Sequence, residues 1–195
     1  MISRAEQKAN THAEILSAAS RVMAREGFAA ATARDVAAEA GVAVGTVFLH
    51  FPTMAQLAEA ILDQTVGAAL DAAAKTPPDG LIDRLVHVAA ALFDGYDTDP
   101  ELSRQVIAGS LFESADGSPS QVRMAQFREW VSAEVVAAVE RGEIAPIEPG
   151  QAFLSFFAFY FGALVSGLRG ELDRPAQLAL LRSSLQRMLG ATEVH

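Results

Sequence analysis

Residues 32–51, Thr-Ala-Arg-Asp-Val-Ala-Ala-Glu-Ala-Gly-Val-Ala-Val-Gly-Thr-Val-Phe-Leu-His-Phe, constrain the chain most, because they carry start and stop signals for two short helices joined by a tight turn. Thr32 can accept from the backbone N–H of Asp35, and Asp35 can answer toward the N–H of Thr32, a short version of the capping box. Val36, Ala37 and Ala40 then share one face. Gly41 follows where a helix commonly stops, since the residue there takes a positive φ that glycine adopts without penalty. A second helix over 44–50 puts Val47 and Phe51 on one side and Gly45, Thr46 and Leu49 on the other. Val42, Val47 and Phe51 pack inward, and the small Ala37 and Ala40 permit the close crossing that a helix-turn-helix requires. A phosphate-binding glycine loop is excluded, because nothing strand-like precedes Gly41 and no Lys-Ser/Thr follows Gly45. An ordinary helical hairpin in a core is the alternative. Against it, Gly45, Thr46, Phe48, Leu49 and His50 carry few charges and make a poor solvated surface.

Gly41-Val42, Gly45-Thr46 and Phe48-Leu49-His50-Phe51-Pro52, followed by Leu57, resemble the DNA-binding signature of the TetR (tetracycline repressor-like) family, Gly-Val-Ser-x-Gly-Thr-Leu-Tyr-x-His-Phe-x-x-Lys-x-x-Leu. The resemblance covers about residues 13–61. It implies a homodimer, a palindromic operator in double-stranded DNA, and repression relieved by a small ligand in the carboxy-terminal domain. Arg34 matches a family position that reaches base edges and can fork onto guanine in the major groove; its alternative is a salt bridge to an acid such as Glu39. His50 matches a phosphate-contacting position. The chain departs from the pattern at Ala43, where Ser or Thr is usual, at Phe48, where Tyr is usual, and at Met54, where Lys meets phosphate. Loss of three polar contacts lowers backbone affinity and flattens its salt dependence.

The remaining positions of the reading helix have jobs that follow from their chemistry. The Thr46 hydroxyl and the helix N-terminus can hold a phosphate, and Gly45 keeps no side chain in the way. Val44, Phe48 and Leu49 have nothing to hydrogen-bond with, so they can recognise thymine methyl groups.

Charge distribution supports a neutral docking end. The net charge is −9, yet residues 1–54 hold five basic and five acidic groups, so all the excess acidity lies in residues 55–195. Non-specific attraction to DNA is therefore weak. The chain has no cysteine, which removes disulfides, Cys-bearing zinc sites and thiol nucleophiles. The amino terminus has no apolar secretory segment, and a cytoplasmic location is expected.

No alternating β-branched run occurs, and the expected fold is all-α with about nine helices: a helix-turn-helix DNA-binding domain over 1–54 and a helical ligand-binding and dimerisation domain over 55–195. Thr11-His12-Ala13-Glu14 reads as the capping box of helix 1, which ends at Gly27. Arg4 and Lys8 then lie in a mobile arm suited to the DNA backbone, while Arg21 and Arg25 either touch phosphates or pair with Glu14 and Glu26. Thr53 caps helix 4, which ends at Pro77-Pro78-Asp79-Gly80. Helix 5 ends at Gly95, Asp99-Pro100 starts helix 6, and residues 114–118 form a loop. Helix 7 covers 119–141 and ends at Gly142. Helix 8 includes the uncharged run 151–168, and helix 9 begins at Pro175.

Eighteen uncharged residues stand at the lower limit for a membrane span. The run also carries small residues at Ala158, Gly162, Ser166 and Gly170, which let another helix approach. With no second span, the reading is a buried helix, no membrane, and a homodimer in which helices 8 and 9 of two subunits make a four-helix contact.

No catalytic constellation, metal-ligand spacing or cofactor motif is present, so no cofactor is expected and the chain is not read as an enzyme. A ligand pocket is expected among helices 5 to 8, walled by Phe93, Phe112, Phe127, Trp130, Phe156 and Tyr160 and anchored by His87, Arg104 and Gln105; core packing is the alternative for each aromatic ring. The effector is then a small apolar or aromatic molecule. The competing function is a helical enzyme or carrier that uses the same cavity without DNA.

Overall fold

The computed structural model describes residues 3–110 and 119–190. Among them the elements are α1 (Arg4–Glu26), α2 (Ala33–Ala40), α3 (Val44–His50), α4 (Met54–Ala73), α5 (Leu81–Asp97), α6 (Pro100–Ser110), α7 (Pro119–Glu140), α8 (Pro149–Leu168) and α9 (Arg174–Leu189), with no strand. The chain divides into two compact units, residues 3–65 with 99–110 and residues 66–98 with 119–190. The division falls within α4 rather than at 54/55. Leu102 of α6 explains why that helix joins the amino-terminal unit, because it is buried in the same cluster as Ile15, Val36 and Leu57.

In the amino-terminal unit α1 begins earlier than the Thr11 signal predicts. The Ser3 side chain accepts from the Glu6 amide at 3.1 Å, and Glu6 Oε2 accepts from the Ser3 amide at 2.6 Å. This box lies ahead of Ala5, Gln7, Lys8 and Ala9, all good helix formers, so the helix extends through Thr11. Arg4 and Lys8 consequently sit on the exposed first turns of α1, not in a free arm. Ile15, Ala19, Val22 and Met23 of α1 meet Val36 and Ala37 of α2, Val47 of α3, and Leu57, Ala58 and Ile61 of α4. Near-complete burial of these side chains is the main stabilising contribution to the unit.

In the carboxy-terminal unit α5 does not stop at Gly95 but continues to Asp97. The glycine serves close packing instead of termination: a Cβ there would lie 3.2 Å from Val66 Cα. At α9, Asp173 accepts from the Ala176 amide at 2.9 Å and caps the helix. Gln177, almost wholly buried, donates to Ala163 O at 2.8 Å, which ties α9 to α8. Gly167 makes that contact fit, since any Cβ there would run into the Gln177 amide. Arg174 joins α9 to α5 by ion pairs to Asp94 at 3.0 Å and Asp97 at 2.7 Å, with its guanidinium 5.0 Å from the Phe93 ring centroid.

Helix α8 buries Ala152, Phe153, Phe156, Tyr160, Ala163, Leu164 and Leu168. It is long and apolar enough to cross a bilayer by length and composition, with a mean hydropathy of 1.5, and 39% of that window is buried. Its other side presents Leu154, Ala158, Phe159 and Gly162, all exposed, and a Cβ on Gly162 would meet open space. Ala158 and Gly162 of the small-residue stripe are therefore left uncovered by this chain, whereas Ala163 and Gly167, which widen the stripe, pack against α9.

Candidate nucleic-acid interface and cavity

The two helices of the turn are fixed by unequal means. At α2, Thr32 Oγ1 accepts from the Asp35 amide at 3.3 Å and Asp35 Oδ2 accepts from the Thr32 amide at 3.1 Å; Thr32 Oγ1 also donates to Asp35 Oδ2. These hydrogen bonds, led by the Thr32 hydroxyl, hold the Asp35 carboxyl below its ordinary pKa. Gly41 closes the helix with φ 69°, and its amide and that of Val42 satisfy carbonyls of the last turn. At α3, Ala43 offers no side-chain cap, so orientation depends on Val47 and Phe51, which are 1% and 5% exposed in the core.

That anchoring turns the rest of α3 outward. Val44 is 37%, Phe48 45% and Leu49 77% exposed, and Gly45 is exposed with open space where a Cβ would stand. Thr46 and His50 are half-buried. The His50 ring lies 5.7 Å from that of His12, which stacks on Phe51 at 4.4 Å. Burial, then the neighbouring His50 and Lys8, lower the His12 pKa, so this α1–α3 contact is built around a neutral imidazole.

The cations around the turn sort into two groups. Arg21 binds Glu39 at 2.8 Å, while Arg25 binds Glu26 at 2.9 Å and Glu39 at 3.4 Å. Glu14 is not their partner in these pairs. With Glu39 shared between α1 arginines, Arg34 at the start of α2 is exposed and has no ion pair among the described residues. The site thus presents an exposed guanidinium, without an ion pair among the described residues, beside an uncharged, largely apolar helix face.

A second feature lies wholly in the carboxy-terminal unit. A cavity of about 370 Å³ is lined by the end of α4 (Leu70, Asp71, Ala73, Ala74), by Pro77 and Pro78, by Arg84, His87 and Val88 of α5, and by Arg123, Gln126, Phe127, Trp130 and Glu134 of α7. His87 Nε2 donates to Ala73 O at 3.1 Å and fixes α5 against the last turn of α4. The Phe127 and Trp130 rings stack at 6.2 Å, and Phe127 also meets Phe156 at 5.8 Å and Tyr160 at 6.3 Å.

Of the residues predicted to bind a ligand, the cavity gathers His87, Phe127 and Trp130. Phe93, Phe156 and Tyr160 are core residues, 0%, 1% and 4% exposed, and do not line it. Arg104 belongs to the amino-terminal unit, exposed and paired with Glu101 at 2.8 Å, and Gln105 hydrogen-bonds the same carboxylate. Phe112 lies outside the described residues. Arg84, Arg123, Gln126 and Glu134 were missing from the predicted set. A signal for Arg84 existed: it precedes His87 by three residues and Val88 by four, the spacing of one helix face. Among the described residues, no group of three or more His, Cys, Asp or Glu can hold a metal ion.

A capped helix, an αL glycine turn and a second helix with an exposed face define a helix-turn-helix domain, here in a chain whose described elements are all helical. Residues 15–61 match the family model of bacterial regulatory proteins, tetR family. This amino-terminal segment is thus similar to the DNA-binding domain of tetR-family regulators. The HTH-type transcriptional regulator TtgR of Pseudomonas putida is 39% identical over 64 residues, 32% of this chain and 30% of that protein. The HTH-type transcriptional repressor Rv3405c of Mycobacterium tuberculosis is 38% identical over 89 residues, 43% of this chain and 47% of that protein. The chain thus spans less than half the length of these curated relatives. The crystal structure of RolR in complex with resorcinol has the same fold, with a TM-score of 0.70 and 19% identity over 97% of this chain and 92% of that one.

Proposed function

We propose that the protein is a ligand-responsive transcriptional repressor that binds a palindromic operator as a homodimer and leaves it when a small aromatic molecule enters the α4–α5–α7 cavity. The observation that carries this reading is the face of α3. Val44, Phe48 and Leu49 remain exposed although buried apolar residues lie close by in the chain, at Val47 and Phe51. An uncharged exposed face beside an unpaired Arg34 is costly in water and useful in a major groove, where it meets thymine methyls and a guanine edge. Thr46, His50 and the N-terminal amides of α3 set the register on phosphates, and Gly45 permits close approach.

The exposed apolar side of α8 and Leu180 of α9 favour dimerisation through those helices. Such a dimer places two reading helices about 34 Å apart, one turn of DNA. Helix α4 connects the two events: Leu57 and Ile61 lie in the core beneath the reader, and Leu70 and Ala73 line the cavity. A ligand that prefers a different α4 position then shifts the reader spacing by no more than its differential affinity allows. Resorcinol, the small aromatic ligand of the RolR complex, accords with this cavity's Phe127 and Trp130.

The test is a titration of purified protein against the palindromic intergenic DNA beside its own gene, at two salt concentrations. Saturable binding with two subunits per site, weakened in Arg34→Ala and in His50→Ala, is the expected result. Absence of binding to that DNA and to a randomised pool at low salt would sink the proposal and favour an enzyme or carrier.

A further inference from the structure

Helix α1 carries cations toward both ends, and they are treated differently. Arg21 and Arg25, toward its carboxy terminus, pair with Glu39 and Glu26. Arg4 and Lys8, toward its amino terminus, are exposed and make no ion pair among the described residues. Because the Ser3 cap starts the helix early, these two residues share a face with His12, the three recurring at intervals of four. Such a row spans about 12 Å. Glu6 is drawn to the Ser3 amide, and Glu14, two residues beyond His12, lies toward the other side of the helix. The face is thus a row of basic side chains with no acid of its own helix among them, in a chain whose net charge is −9.

The row ends at the reading helix. The His12 ring stacks on Phe51 with centroids 4.4 Å apart, which covers one face of the imidazole while the residue stays exposed. His50 of α3, on the phosphate-facing end of the reader, lies beside it with ring centroids 5.7 Å apart. The charges that act on His12 are His50 from α3 and Lys8 from its own helix, both positive when protonated; none comes from α2 or α4 among the described residues. With partial burial as the larger cause, they favour the uncharged imidazole in the free protein. A phosphate beside the row reverses that balance, since its negative charge favours the imidazolium and accepts a charge-assisted hydrogen bond from it.

We infer that His12 joins His50 in holding a phosphate of the operator backbone, with Lys8 and Arg4 following the strand along α1, and that His12 takes up a proton as the duplex docks. This rests on the repressor reading and adds to it a contact on α1 and a proton from the buffer. Operator affinity then rises as pH falls through the histidine range, because the bound state holds more protons than the free one. Stability of the free fold moves the other way with the same protonation.

The full-length protein is titrated by calorimetry with the palindromic intergenic duplex at pH 7, in phosphate and in Tris, and the difference in heat between the buffers counts the protons taken up. Net uptake is expected. Anisotropy titrations between pH 8 and pH 6 at fixed ionic strength are expected to show affinity rising several-fold. In His12→Gln, affinity at pH 8 is expected to stay within about twofold of the parent, while the rise with acidity shrinks to less than about half. A merely structural role for His12 would instead lower affinity by the same factor at every pH. Lys8→Gln is expected to keep the rise and to reduce the slope of log affinity against log salt by about 0.9. Circular-dichroism melts accompany both variants, and if His12→Gln is unfolded, the parent's proton count and the Lys8→Gln salt slope decide. Absence of proton uptake, an unchanged rise in folded His12→Gln, or an unchanged salt slope in Lys8→Gln would overturn the inference. No binding at any pH overturns the repressor reading and this inference with it, whereas intact binding without proton uptake overturns this inference alone.

Discussion

Arg34 and Arg84 are the same side chain in opposite settings. Arg34 is exposed on α2, without an ion pair among the described residues, beside an apolar helix face. Arg84 is mostly buried in a cavity wall, with Glu134 against one nitrogen and nothing against another. In water a guanidinium acts at longer range and weakly, because solvent and salt screen it; in a wall it acts at contact distance and strongly. The first setting suits an encounter with a polyanion whose bases are then read by shape and contact. The second ties α5 to α7 through Glu134. The neighbours make the difference, since Arg21 and Arg25 occupy Glu39 while Arg84 shares its helix face with His87 and Val88.

The largest effect expected from breaking this contrast is on DNA. Arg34→Ala is expected to weaken operator binding by about 1–3 kcal/mol and to relax preference at one base pair, with thermal stability unchanged. An Arg84→Gln protein, tested without ligand, is expected to bind the operator as the parent does. Gel-shift or anisotropy titrations on both variants check this, and equal losses in the two would erase the distinction.

Next in size is the cap that holds Arg34 in place. Thr32→Ala removes the acceptor for the Asp35 amide and is expected to lower stability by about 1 kcal/mol, read from urea unfolding of the chain. Ala43→Ser tests the missing cap on α3 in the opposite direction, and a gain of a few tenths to about 1 kcal/mol is expected there.

Gly45→Ala sharpens the comparison from the surface side. A Cβ at Gly45 meets open space in the free protein, so stability should change by no more than about 0.5 kcal/mol, or rise through helix propensity. Operator affinity should nevertheless fall if the backbone approaches DNA closely. Unchanged affinity would remove Gly45 from the interface.

The smallest effect concerns pH. The folded-state pKa of His12 is depressed, so the unfolded chain binds the proton more readily and stability declines as pH falls through the ordinary histidine range near about 6.5. Asp35 and Glu39, also depressed, lose their contributions only at lower pH, through the carboxylate range. Melting temperatures between pH 7.5 and 5 are expected to fall slightly, and the slope should shrink in His12→Gln. An identical slope in that variant would assign the effect elsewhere.

Local signals were legible where their partners lie within a few residues. The Thr32 cap, the Gly41 turn, the 44–50 span of α3 and the Asp99 start of α6 could all be read, because each depends on hydrogen bonds or φ preferences within one turn. The Thr11 box and the Gly95 stop were equally good local signals that lost to something else. Ser3 offered an earlier cap, and Gly95 served the approach of α5 to Val66. The same limit applies to the cavity. Helical spacing marked Phe93, Phe127, Trp130, Phe156 and Tyr160 alike as apolar, without separating the wall from the core.

By itself, then, the sequence determined an all-helical chain, a helix-turn-helix with Val44, Phe48 and Leu49 outward, and an apolar α8, because periodicity and capping act over short distances along the chain. Tertiary structure alone decided that Arg21 and Arg25 take Glu39 and leave Arg34 unpaired, that Arg84 enters the cavity wall, and that Gln177 fills the space left by Gly167. Most of those outcomes are pairings between helices distant in sequence, where a charge or a side-chain volume finds its partner only after packing has brought the surfaces together.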